Sequence, residues 1–339
     1  MILPVGKLPS DILGRLLKKH KILDPSVVLG PGIGEDAAVL SFGNKLLVAK
    51  TDPITFTSED IGWYTVAVNA NDVVTRGARP RWFLCTALLP EGKTTPRLAE
   101  DIFRQIHRAC RALRISSVGG HSEITSGLAR PILVGFMLGE VLGKRPVTTS
   151  GVREGDCLIL TKSIALEAAS VIVRERGSEV TRKWGAAFVR RCRNFIKELS
   201  VVPEALIATR MGGVHSMHDP TEGGLSTGIY EMAEASQVGF VIERENILIQ
   251  REAQVLCGMY RLDPLGILSS GALLIACDPK MAFRIVRRIR KSGVSASVIG
   301  RAVPRRQGVL LREGGSAIPF PRFPRDEIAC LAYRLQQQR

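Results

Sequence analysis

The chain alternates short apolar runs with stretches in which apolar residues recur every three or four positions, the pattern of strands interleaved with covering helices. Runs at residues 46–50, 82–88 and 133–142 read as strands. Helical spacing marks 8–20, 62–76 and 98–113, the first capped by Ser10. Between 98 and 113, Leu98, Ile102, Ile106, Cys110 and Leu113 form one stripe with cations between them, as expected of a helix with one wet face. Between 62 and 76, Asn69, Asp72 and Arg76 recur at three and four and so share a face. A polar turn over residues 145–155 marks a boundary near residue 150. Beyond it, 157–161, 273–277 and 297–299 read as strands, covered by helices at 166–176, 187–197 and 281–291. A proline-rich stretch at 319–324 precedes a last helix. The pattern predicts an α/β (α+β) chain of two domains, 1–150 and 151–318, with a tail helix in 319–339.

Polar residues cluster where apolar segments meet turns. Gly30, Gly32 and Gly34 allow a tight turn and close approach to an anion, and Glu35, Asp36, Asp52 and Asp72 offer hard oxygens suited to Mg²⁺. In the second half, Asp219 and Thr221 stand where a helix should begin, and the free N–H groups of such a terminus attract anions. Each loop also has a plain reading, as an ordinary turn or as a helix cap. Their recurrence in one chain favours a metal-phosphate site. Several carboxylates at one point repel one another, so the cluster calls for divalent cations and a polyphosphate between them. No Gly-x-x-x-x-Gly-Lys-Ser/Thr loop occurs.

Six segments, taken in order, carry a family resemblance: Gly34-Glu-Asp-Ala-Ala-Val39, Thr51-Asp52, Ala67 to Asp72 with Gly77-Ala78, Gly119-Gly120, Asp219-Pro-Thr-Glu-Gly-Gly-Leu225, and Ile299-Gly300. The chain resembles the superfamily of aminoimidazole ribonucleotide synthetase, thiamine-monophosphate kinase, selenophosphate synthetase and the hydrogenase-maturation protein HypE. The 219–225 run and Asp263-Pro264-Leu265 are most similar to HypE. The resemblance implies a two-domain PurM-like fold whose N-terminal domains pair through a β-barrel-like interface, beside a C-terminal α/β domain. It implies Mg-ATP held by Asp36, Asp52, Asp72, Asp219 and Glu222 as metal ligands. Thr51 and Thr221 would touch the nucleotide, with Lys7, Gly34, Asn69, Gly119, Gly120 and Gly223 at further cofactor positions. Asp36, Asp72, His121 and Glu123 would carry the chemistry.

Three departures shape the expectation. After the paired glycines the thiamine-monophosphate kinase pattern has Asp, whereas this chain has His121, with Glu123 as a substitute ligand. Since Mg²⁺ prefers oxygen, His121 also reads as a hydrogen-bonded loop residue. Residues 53–57 lack the His-Phe of the kinase, which argues against thiamine phosphate. Cys330 stands nine residues from the end among Ile328, Leu331, Tyr333 and Leu335, and reads as part of a packed helix rather than as the acceptor cysteine with which HypE ends. No cysteine precedes the first glycine-rich loop, which argues against selenophosphate synthesis.

Composition narrows the picture further. At 339 residues, 45% apolar and only 5% aromatic, the chain suits two aliphatic α/β cores. No apolar run reaches the ~18 residues that span a bilayer, and the N-terminus lacks signal-peptide grammar, so a cytoplasmic location is expected. The seven cysteines lack any Cys-x-x-Cys and read as thiols in a reducing compartment. A net charge of +15 suits an acidic protein partner or an anionic substrate. The scarcity of aromatics argues against nucleic acid. The expected activity is ATP-dependent activation of an amide-type oxygen on a small-molecule or peptidyl substrate, in hydrogenase or other metallocofactor maturation. The alternative is a nucleotide-binding partner or regulator that has lost chemistry.

Overall fold

The computed structural model describes residues 3, 8, 10–19, 22–32, 35, 37–55 and 57–336. The first half contains α1 (Ser10–Lys18), β1 (Val27–Leu29), β2 (Ala38–Phe42), β3 (Lys45–Ile54), α2 (Ile61–Thr75), β4 (Ala78–Pro90), α3 (Pro96–Leu113), β5 (Ser116–Thr125) and β6 (Ile132–Val141). Its sheet runs β1-β2-β3-β6-β4-β5, antiparallel except for the β4–β5 pair. Within one chain this sheet is open, with β5 at one edge.

Both α2 and α3 lie on one face of that sheet. Thr95 caps α3 by accepting from the Leu98 N–H, Pro96 follows at the first turn, and Ile102, Ile106 and Cys110 bury the predicted stripe. Every residue of α2 except Trp63 is buried, so the helix is apolar or satisfied all round rather than amphipathic. Glycines of β6 make this possible. A Cβ on Gly135 would fall 2.3 Å from Asn69 Nδ2, and one on Gly139 2.3 Å from Val73 Cγ1.

The second half contains β7 (Cys157–Thr161), α4 (Leu166–Glu175), α5 (Gly177–Trp184), α6 (Ala186–Asn194), α7 (Val202–Met211), β8 (Val214–His218), α8 (Gly224–Ser236), β9 (Val238–Glu243) and α9 (Arg251–Tyr260). It continues with β10 (Leu273–Cys277), α10 (Pro279–Lys291), β11 (Ala296–Pro304), β12 (Val309–Glu313), β13 (Ser316–Pro319) and α11 (Glu327–Gln336). The sheet order is β13-β12-β9-β11-β7-β10-β8. Its central strands β7, β9 and β10 are buried on both faces, whereas edge strand β13 is exposed. Ile159, Leu273 and Ile275 join α7 and α10 in the same core as α2, while Leu158, Leu160 and Leu274 pack on α8. The two halves therefore share one continuous apolar core. Trp63 Nε1 donates to Ile196 O at 3.1 Å, and Asn71 bonds Leu199 O and the Val201 N–H at 2.8 and 2.9 Å. On α10, Ala282, Ile285, Val286 and Ile289 are buried while Arg284, Arg287, Arg288 and Lys291 face solvent, so these cations form a wet helical face.

The paired glycines, given cofactor positions by the resemblance, lie inside edge strand β5. A Cβ on Gly120 would sit 2.0 Å from Cys85 O, so the glycine is what lets β5 join β4.

The C-terminal segment straps over α8. Ser226 Oγ donates to Pro321 O and Tyr230 OH to Phe320 O, and the Arg322 guanidinium lies 3.7 Å from the Tyr230 ring centre. Phe323 covers Gly266, and the Glu327 N–H bonds Gly266 O at 3.1 Å. Cys330 lies in α11 as expected, half-buried beside buried Leu331. Under the strap, buried Glu167 accepts from the Ser270 N–H at 3.2 Å. Burial pushes its carboxyl up to about 7, the charge of Asp326 adding to this.

Two predictions follow from these contacts. Gly120→Ala should lower unfolding free energy by about 3 kcal/mol, whereas Gly127→Ala, at a turn with open space around it, should cost about 1 kcal/mol; chemical denaturation checks both. The carboxyl of Glu167 titrates higher folded than unfolded, so its contribution is full below the ordinary carboxyl pKa and is lost as pH rises through about 7. Glu167→Gln should accordingly stabilise the protein above that pH, by at most about 3 kcal/mol, and flatten the pH–stability curve.

Candidate functional site

Strand alternation decides which predicted residues meet. On β3, Val48, Lys50, Asp52 and Ile54 face α2, while Ala49, Thr51 and Pro53 face the other way. From α2, Asp72 places Oδ2 2.8 Å from Lys50 Nζ, and Asp52 Oδ2 lies 3.8 Å from the same nitrogen. The Lys50 and Asp72 side chains are 14% and 6% exposed, whereas that of Asp52 is 38% exposed. Asn69 joins them, donating from Nδ2 to Asp52 O at 3.3 Å and Thr65 O at 2.8 Å. Its Oδ1 is buried without a hydrogen-bond partner. The structure thus gathers Asp52, Asp72 and Asn69 as expected and adds Lys50, which the sequence reading missed. Its signal was its place two residues before Asp52, on the same face of the strand.

Glu35 is differently employed from its predicted role as a metal oxygen. Its Oε2 accepts from the NH1 group of Arg76 at 2.5 Å, and the fully buried Arg76 also donates to Thr149 Oγ1 at 3.0 Å. Thr149 O in turn accepts from Ser216 Oγ and Ser236 Oγ, so Arg76 ties the glycine-rich loop to the second half. A buried guanidinium needs such a carboxylate. Lys7, Gly34 and Asp36 lie outside the described residues.

In the second half, Asp219 is buried at the end of β8 and Glu222 is exposed. The N-terminus of α8, read as an anion seat, already holds a carboxylate. Gly223 N–H donates to Asp326 Oδ2 at 2.7 Å, while the N–H groups of Gly224 and Ser226 bond Thr221 O and Leu265 O. Burial pushes Asp326 up to about 6, with the charge of Glu222 adding and the N–H bonds opposing. The expected contact of Gly223 with cofactor is thus replaced by one with the C-terminal strap, which was invisible in sequence because 103 residues separate the pair.

Two further expectations need correction. His121 and Glu123 lie on strand β5, not on a loop, and register with Thr86 and Leu88 puts them on the open face, opposite that of Asp52 and Asp72. There His121 Nε2 and Glu123 Oε2 are 3.1 Å apart and Thr125 Oγ1 donates to Glu123, all exposed or nearly so. Thr51 shares that open face by the same alternation. Within one chain, these three residues therefore do not face the Asp52–Asp72 pair. Gly119 and Gly120 border a cavity of about 280 Å³ between β4, β5 and α3, lined also by Cys85, Phe103 and His107. Burial pushes the Cys85 thiol up to about 11, so it is not a thiolate nucleophile.

Among the described residues, no three His, Cys, Asp or Glu are grouped to hold a metal. The Asp52 and Asp72 carboxylates and the orphaned Asn69 amide oxygen are nevertheless hard oxygen donors of the kind Mg²⁺ takes. No described helix is long and apolar enough to cross a membrane.

Comparison with known proteins agrees with this architecture. Residues 34–141 match the model of the AIR synthase related protein N-terminal domain, and 153–312 that of the C-terminal domain. A putative hydrogenase expression/formation protein of Methanocaldococcus jannaschii is 26% identical over 317 residues, covering 90% of this chain and 91% of the relative. The carbamoyl dehydratase HypE of Rhodobacter capsulatus is 26% identical, covering 84% of each chain. Among solved structures, a hydrogenase maturation protein HypE in complex with ATP superposes with a TM-score of 0.72 at 22% identity, over 87% of this chain and 91% of that one. With both halves matched in order, and the two-sheet PurM-like fold in common, this chain belongs to the AIR synthase related protein family.

Proposed function

We propose that the chain is a HypE-like enzyme that binds Mg-ATP at the junction of β3 and α2 and phosphorylates an amide-type oxygen of a small-molecule or peptidyl substrate. The observation that carries this reading is the cluster of Asp52, Asp72, Lys50 and Asn69, in which charged groups and an unpartnered amide oxygen are collected at the edge of a buried core. Such clusters concentrate at functional sites because they cost folding energy. The names of the relatives point to the same chemistry.

Mg-ATP would supply the phosphoryl group that turns the substrate oxygen into a leaving group. The protein's part is alignment and charge balance. Asp52 is the more solvent-facing carboxylate and would hold the metal. Asp72 is fixed by Lys50, and Asn69 orients the β3 backbone through Asp52 O while offering its own amide oxygen. Asp219, Thr221 and Glu222, just before α8, would supply the further contacts to metal and nucleotide. A cytoplasmic setting suits an ATP-dependent reaction of this kind.

A regulator without chemistry is the second reading. It is favoured by the displacement of His121 and Glu123 to the open face and by the occupation of the α8 terminus by Asp326.

The open face of the first sheet exposes Phe136 on β6, at 38%, beside the unpaired edge strand β5, where Val118 is 53% exposed. This apolar surface supports the expected two-fold homodimer.

Asp52→Asn or Asp219→Asn should weaken Mg-dependent ATP binding at least about tenfold by calorimetry, and unchanged affinity in both contradicts the assignment. Light scattering should give twice the chain mass of 36.9 kDa, and Phe136→Asp should shift the population toward that monomer mass.

A further inference from the structure

Lys50 lies between the two carboxylates of the site, on the same strand face as Asp52 and facing Asp72 on α2. Its nitrogen is 2.8 Å from Asp72 and 3.8 Å from Asp52, and the Lys50–Asp72 pair is nearly withdrawn from water. At these distances and burials the Lys50–Asp72 interaction is little screened, and a contact of 2.8 Å outweighs one of 3.8 Å to an exposed partner. The charge of Asp72 is therefore already balanced from within the chain. Asp52, more exposed and more loosely held, keeps its capacity for a hard cation.

We propose that Lys50 is a positioning residue that acts as the internal counter-cation of Asp72. The site then takes a divalent metal on Asp52 rather than one shared between the two carboxylates. This deepens the Mg-ATP reading above and rests on it for its consequence: without nucleotide the metal meets, between β3 and α2 among the described residues, one loosely held carboxylate and binds weakly, and the polyphosphate brings further negative charge. Metal and nucleotide would thus enter together. The sequence alone assigned both aspartates to metal and placed no cation among them.

The test uses Mn²⁺ as the probe, its free concentration followed by electron paramagnetic resonance, on full-length protein without nucleotide. Wild type and Lys50→Arg should bind Mn²⁺ weakly. Lys50→Met should bind it at least about tenfold more tightly, because both carboxylates then face the metal. Mn²⁺ binding by Lys50→Met that is no tighter than in wild type overturns the proposal. Thermal melting of each variant with and without Mn²⁺ supplies an independent readout. Should Lys50→Met fail to fold, Lys50→Gln, which keeps a hydrogen-bond donor for Asp72, carries the same comparison. Calorimetry of wild type with ADP and Mn²⁺ separates the two readings. Loss of nucleotide binding there refutes the proposed function, whereas the nucleotide-free Mn²⁺ titration decides the role of Lys50 regardless.

Discussion

The complete burial of α2 between the two halves is the constraint on which the rest depends. A helix covered on every side has no water for its polar side chains, so each must find a partner in a neighbouring layer. Asn71 finds the 199–201 backbone, Arg76 finds Glu35 and Thr149, Asp72 finds Lys50, and Asn69 finds the Asp52 carbonyl. These four residues bind the first sheet, the glycine-rich loop and the second half into one structure. The candidate site is assembled by the same contacts, which is why its geometry is inseparable from the packing of the two halves.

Much of the frame was legible in the chain. The strands at 157–161 and 273–277 and the helix near 62–76 emerge where apolar spacing placed them, because buried aliphatic runs and helical stripes leave a periodic trace. What escaped was set by neighbours distant in sequence. The strand at 116–125 is polar and exposed along nearly its whole length, so it carries no apolar signature, and its two glycines were given cofactor positions by the resemblance alone. Their actual reason is the Cys85 backbone, visible only once β4 is placed beside β5. Asn69 and Asp72 were correctly assigned to one helical face. His121 and Glu123 were assigned by motif alone, and strand alternation sends them to the opposite face.

Two internal ions give the site its character. Lys50 stands as a cation between two carboxylates, and Asp326 stands as an anion on the Gly223 N–H at the start of α8. In both places the sequence suggested groups awaiting a ligand of opposite charge, and in both the fold provides such a charge itself. Burial of ionic groups without partners costs several kcal/mol, so a chain that must fold before meeting its ligand gains from such substitutes. The exposed Asp52 carboxylate and the orphaned Asn69 oxygen remain as the features that folding alone does not explain.

The most direct measurement is a crystal structure grown with a non-hydrolysable ATP analogue and Mn²⁺, read by the anomalous signal of the metal. The account predicts a manganese peak within coordination distance of the Asp52 carboxylate, with the phosphates beside it and Lys50 still paired with Asp72. A metal peak on the open face at His121 and Glu123, with none at Asp52, would contradict it.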